Sequence, residues 1–219
     1  MAKVVGGVLD RNMPHQMNHI MVGNLGNLEV LLLAFDDGDV GAFYTHAIAR
    51  CILSNTEQCR NPGPLGPRIS VPKQFFHENV GMSVWGLAIH EKSRLLAVSS
   101  NRHEVTVFAF SMSRSPAPLG ERRSQDEPDD SPVLWCGQTA LELEKHFQSR
   151  TRTWRIVLPV GKDGHNIPSI AFSDDEAGNA DKIAAVDITG HTWLFDLWRI
   201  GSSPVQLPYP PSRMVGGAR

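Results

Sequence analysis

Three stretches of this chain repeat one plan, and that repetition constrains the fold more than any other feature. The first runs Glu29-Val-Leu-Leu-Leu-Ala-Phe35, then Asp36-Asp-Gly-Asp39, then Val40-Gly-Ala-Phe-Tyr-Thr45. Asp-Gly between two apolar runs is a strong hairpin signal, because these residues tolerate positive φ. The second joins three strand-like runs, Val84–His90, Leu95–Ser100 and Val105–Phe110, by two polar turns. In its last run Val105, Val107 and Ala109 alternate with Thr106, Phe108 and Phe110. Both faces therefore carry apolar groups, as in a sheet packed on both sides. The third has the same order: Ile167–Ser173, an acidic loop Asp174–Asp181, Ile183–Asp187, a Thr189-Gly190 turn, and Thr192–Leu197.

Phe43, Phe108 and Phe195 close the third strand of each segment. Their separations exceed the roughly 40–45 residues of a propeller blade of the WD-repeat kind, so insertions are expected. Residues 54–73, with Asn61-Pro-Gly-Pro-Leu-Gly-Pro67, and residues 111–132, with Asp126-Glu-Pro-Asp-Asp-Ser-Pro132, are too polar and Pro-rich to bury a core. They read as flexible surface loops. Trp154–Leu158 supplies an outer strand, Thr139–Gln148 a short helix, and residues 201–219 a linker or tail. The expected fold is all-β, with WD-like blades and their insertions over residues 17–200. Closure takes typically 4–8 blades, so three clear blades predict an incomplete propeller.

The charge balance narrows the partners. Lys and Arg number 21 against 23 Asp and Glu, which leaves no basic footprint for direct nucleic-acid binding. No run approaches the roughly 18 apolar residues of a membrane span, and the N-terminal apolar run is too short for a secretory signal. Cys51, Cys59 and Cys136 form no Cys-x-x-Cys unit and read as idle thiols in a reducing compartment.

The repeats carry a resemblance. The third has Gly164-His165 before its first strand and Phe195-Asp196-Leu197 at its end, and so resembles a WD repeat with Phe in place of Trp. Gly190 stands at the tight-turn glycine and Thr189 replaces the usual aspartate; Asp37-Gly38 matches that turn in the first segment. In the second, Asn101 stands near the aspartate position with one extra residue. Val84–Phe110, with its Trp85-Gly-Leu-Ala88 segment, and His165–Ser173 are similar to the fungal regulators named for constitutive ribonucleotide reductase transcription. That resemblance implies a WD-like propeller controlling transcription of ribonucleotide reductase genes through protein partners. It also implies a nuclear or cytoplasmic location and a link to a cullin-type ubiquitin ligase. In WD repeats a His, a strand hydroxyl, the Trp and the turn Asp form a buried hydrogen-bonded network; here it reads as incomplete, with His165 as the structural histidine of its repeat.

Little in the sequence points to chemistry. There is no Gly-x-Ser-x-Gly elbow, P-loop or dinucleotide turn. Asp36, Asp37 and Asp39 read as a hairpin turn rather than a calcium site, and Asp174, Asp175, Glu176 and Asp181 as a solvated loop. No Cys pair precedes a His pair at zinc-finger spacing, and no helical pattern surrounds His15 and His19. Trp85, Trp154 and Trp193 read as buried blade contacts, and Ser113, Ser115 and Ser124 as an unmodified loop. No catalytic, cofactor-binding or metal residue is therefore singled out. The expected function is a non-enzymatic interaction scaffold. One alternative is a substrate-receptor or adaptor subunit of a cullin ligase. Another is a propeller enzyme such as a glycoside hydrolase, which needs two convergent carboxylates about 5–10 Å apart in a central pocket.

Overall fold

The computed structural model describes residues 15–61, 66, 68–110, 139–150, 153–199 and 201–208. They build three four-stranded antiparallel sheets, each a meander in chain order. The first holds β1 (Met17–Leu25), β2 (Leu28–Phe35), β3 (Asp39–Tyr44) and β4 (Phe76–Asn79). The middle holds β5 (Val84–His90), β6 (Leu95–Ser100), β7 (Glu104–Phe110) and β8 (Thr153–Pro159). The third holds β9 (Ser169–Asp174), β10 (Ala180–Val186), β11 (Thr192–Asp196) and β12 (Val205–Leu207). The opening strands β1, β5 and β9 lie side by side, so the sheets stand as consecutive blades of an incomplete WD-like propeller.

Alternation along the strands explains the stacking. Leu96, Val98, Phe108 and Phe110 of the middle sheet join Val30, Leu32, Ala34, Val40 and Ala42 of the first in one core. Leu95, Ala97, Val105 and Val107 point the other way and join Ile170, Ile183, Ala185, Trp193 and Phe195 in a second. Every residue of β6 is buried as a result. Fully burying each Val, Leu or Phe side chain contributes roughly 1.5–3 kcal/mol, so the middle sheet is the best-supported element.

The second-to-third-strand turns superpose in kind. Gly38, His103 and Gly190 all adopt left-handed backbone, with φ of 91°, 58° and 86°. Each donates its N–H to the carbonyl three residues back, in Phe35, Ser100 and Asp187. Phe43, Phe108 and Phe195 follow five residues later in every case, so the aromatic spacing marks true equivalence. It also corrects one alignment: Arg102, not Asn101, shares the position of Asp37 and Thr189, with no extra residue in the turn.

Helix α1 (Thr45–Arg60) takes up the first part of the stretch read as a loop. Ala47, Ile48, Ala49, Ile52 and Leu53 favour helix locally, yet α1 buries no side chain fully. It lies against β2 and β3 of the first sheet. Asn55 then clasps Ser70, accepting from its N–H and hydroxyl and donating to its carbonyl. Helix α2 (Ala140–Ser149) starts with a capping box between Thr139 and Glu142 and buries Leu143 and Phe147, four apart on one face. Thr139's backbone N–H and hydroxyl hold the exposed Glu142 carboxyl below its ordinary value. The stretch read as a linker after residue 200 contributes β12, which pairs with β11. The 111–132 insertion, with Ser113, Ser115 and Ser124, lies outside the described residues.

Candidate functional site

Neighbouring strands β1, β5 and β9 enclose a cleft of about 480 Å³. Met21, Gly23, Leu87, Ile89, Ile170 and Phe172 line much of it, with His90, Glu91 and Asp174 as its titratable groups. Its walls are held by side chains that reach across sheets to backbone. Asn18 Nδ2 donates to Val84 O (3.0 Å), and His19 Nδ1 meets Trp85 O at 2.7 Å. His90 Nε2 lies 2.9 Å from Asp174 Oδ1, while His90 Nδ1 accepts from the Ser93 N–H. Asp174 is thus committed to an inter-sheet link. Lys92 Nζ reaches Ala177 O, and Ser93 Oγ accepts from the Ala180 N–H, tying the β5–β6 turn to the acidic loop.

The Trp-Gly-Leu-Ala segment has a local explanation here. The β5–β6 register shifts between Val84 and Leu87. Gly86 donates its N–H to Ser99 Oγ (3.0 Å), which donates to Ile167 O at 2.6 Å. A Cβ on Gly86 would lie 2.4 Å from that hydroxyl, so glycine lets the middle sheet bridge to the third.

Two carboxylates organise the turns at the opposite ends of the array. Asp187 is almost fully buried. It accepts from Trp193 Nε1 (3.0 Å), the Thr189 hydroxyl (2.6 Å) and N–H (2.9 Å), and the His191 N–H (3.0 Å). Burial alone would raise this carboxyl; the donors from Thr189, Trp193 and His191 hold it below its ordinary value. The Trp–carboxylate link of a WD network is therefore present, moved two residues upstream of Thr189 and onto Trp193. The signal was an Asp closing an apolar strand with a Trp six residues on.

Asp37 does the same in the first sheet. Its Oδ2 lies 2.8 Å from His15 Nδ1, and its Oδ1 accepts the Asp39 N–H. His15 stacks on Phe35 with ring centroids 4.0 Å apart. Sequence spacing missed this His–Asp contact because His15 stands two residues ahead of β1, outside any apolar pattern. Asp39 takes His77 Nε2 at 3.1 Å and Asn79 Nδ2 at 2.6 Å.

Other expectations divide. Trp193 is buried, but Trp154 is half exposed on the outer strand β8, where a strand edge leaves one face to solvent. His165 is exposed, with its ring 6.4 Å from that of His103; it does not occupy the buried place that the repeat pattern assigns it. Asp175 caps its own loop by accepting the Asn179 N–H, which holds it below its ordinary value.

No curated protein matches the chain. Among solved structures, it is similar to the β-propeller domain of Cps50 (Swd1) from Myceliophteria thermophila, at 11% identity and a TM-score of 0.41, over 90% of this chain and 44% of that one. The chain thus spans less than half the length of that structure. Residues 8–207 match the model of the CRT10 family, a span that includes all three sheets, and the chain belongs to that family.

Proposed function

We propose that this chain is a non-catalytic interaction scaffold that acts, through protein contacts, in the control of ribonucleotide reductase gene transcription. Family membership supports the regulatory half of this reading. One observation carries the scaffold half: among the described residues, the first sheet presents an apolar face with no sheet upon it. On that face Ile20 pairs with Leu33, and Val22 with Leu31, which in turn pairs with Phe43. Ile20 and Val22 are more than half exposed. The equivalent faces of the middle and third sheets, marked by Phe108 and Phe195, are buried against a preceding sheet. Aliphatic surface of this kind is favourable to cover, and the occupant that fits is another β-sheet with an aliphatic face.

The test replaces Val22 by Glu in the full-length protein in its own cell. Ribonucleotide reductase transcripts are expected to shift in the direction produced by deleting the gene, at unchanged protein abundance. Transcripts that stay at wild-type levels in the deletion itself reject the regulatory role. Transcripts that move in the deletion but not with Val22→Glu reject the face.

A further inference from the structure

We infer that the β2–β3 turn and the residue ahead of β1 form a divalent transition-metal site, with zinc as its best-fitting ion. Three donor atoms converge from two chain segments: one each from His15, Asp37 and Asp39 lie within 4.8 Å of one another. The nitrogen is 2.8 Å from the first oxygen and 3.9 Å from the second. Zinc bonds near 2.0–2.2 Å set tetrahedral ligand atoms about 3.4 Å apart, and the two observed spacings bracket that edge.

The carboxylates are already oriented for this. Each has its Oδ1 occupied by an N–H donor: Asp37 by the Asp39 backbone at 3.2 Å, Asp39 by the Asn79 amide at 2.6 Å. Both Oδ2 atoms are the ones turned towards His15. Outer hydrogen bonds of this kind hold first ligands in place and strengthen metal binding. His77 Nε2 approaches the same Asp39 oxygen at 3.1 Å and serves as a further outer partner. Stacking on Phe35 fixes the plane of the His15 ring.

Charge points the same way. Asp37 is almost fully buried and Asp39 largely so, and the ion-pair partners the structure gives them are imidazoles. Two largely buried carboxylates whose oxygens converge on one imidazole nitrogen favour a divalent cation. One nitrogen and two oxygens suit zinc over magnesium or calcium, which want six or more oxygens. The three protein ligands leave a fourth position to water.

The site ties the segment before β1 to the turn of the neighbouring hairpin, so metal occupancy would stabilise the first sheet by mass action. The experiment uses the full chain stripped with a chelator and titrated with zinc against a chromophoric competitor, alongside cobalt, whose visible bands report nitrogen–oxygen coordination. One equivalent is expected to bind, to raise the unfolding midpoint, and to weaken at least tenfold in both Asp39→Asn and His15→Gln. His165→Gln, at the separate exposed histidine pair with His103, should bind as the unaltered chain does. Absence of stoichiometric binding overturns the proposal. So does affinity that survives both ligand substitutions, or that falls with His165→Gln instead. If Asp39→Asn does not fold, the half-exposed His15 and His77 keep the test decisive: His15→Gln must weaken binding at least tenfold and His77→Gln weaken it by less.

Discussion

Phe43 and Phe108 stand at the same distance from equivalent turns, yet they live in different surroundings. Phe108 is buried between the first and middle sheets, edge-on to Phe76 with centroids 5.0 Å apart. Phe43 lies on the face of the first sheet that neither of the other two described sheets covers, and is only partly buried. The local sequence treats the two alike; the neighbour makes the difference. A blade is half of an interface on each side, so its stability depends on its place in the array as much as on its own residues.

The largest effect should come from breaking that asymmetry at its strong end. Phe108→Ala removes a ring from a filled core and is expected to cost about 3–5 kcal/mol, read as a lowered midpoint in denaturant. Phe43→Ala should cost well under half of that. Equal losses would mean that the outer face of the first sheet is covered in solution.

Next come the turns. Gly38 sits at φ 91°, and a Cβ there would lie 2.8 Å from Met82 N and 2.9 Å from Gly81 N. Gly38→Val should destabilise by roughly 2 kcal/mol or more, since both the left-handed backbone and the close approach oppose a branched side chain. An unchanged midpoint would contradict the hairpin geometry of the first sheet.

Asp187→Asn sharpens the comparison at the third sheet. It keeps the shape but weakens charge-assisted bonds to Trp193 and Thr189, for an expected loss of about 1–3 kcal/mol at neutral pH. The folded-state carboxyl sits below its ordinary value, so the unfolded chain binds its proton first as pH falls. Its contribution is therefore present above the unfolded value of about 3.9 and is lost as pH drops through the lower folded value. Urea unfolding from pH 6 to pH 2 should show this acid-side loss in the unaltered chain and a flatter curve in Asp187→Asn; parallel curves would remove the assignment.

The smallest expected change is at His103, which holds the left-handed position that glycine holds in the other two turns. Glycine there relieves backbone strain of about 1–2 kcal/mol but adds freedom to the unfolded chain. His103→Gly should therefore move stability by less than about 1 kcal/mol, against the larger loss in Gly38→Val.

How much was legible follows from these residues. Val105, Thr106, Val107 and Phe108 announce a strand with two apolar faces, and β7 has both buried. Trp154–Leu158 and Thr139–Gln148 also read correctly, as β8 and α2. β1 was not read as a strand, because its exposed Ile20 and Val22 and its polar Asn18, His19 and Asn24 blur the alternation. The second half of α1, residues 54–60, was read as part of a loop because its polar and Pro-rich C-terminal flank outweighed a helix that buries no side chain fully. The Asp187–Trp193 link was missed because the conventional position, Thr189, drew the attention two residues too late.

Period-two patterning, Asp-Gly and Thr-Gly turns and an aromatic closing each third strand were enough to determine three repeated hairpin units and their order, because these depend on contacts close in the chain. Tertiary structure alone decided which apolar faces meet, which carboxylate takes the tryptophan N–H, and that His15 would reach a turn 22 residues away. Those outcomes depend on where one sheet is laid upon the next. Burial and hydrogen-bond satisfaction are settled between elements, and no local stretch of sequence carries its neighbour's geometry.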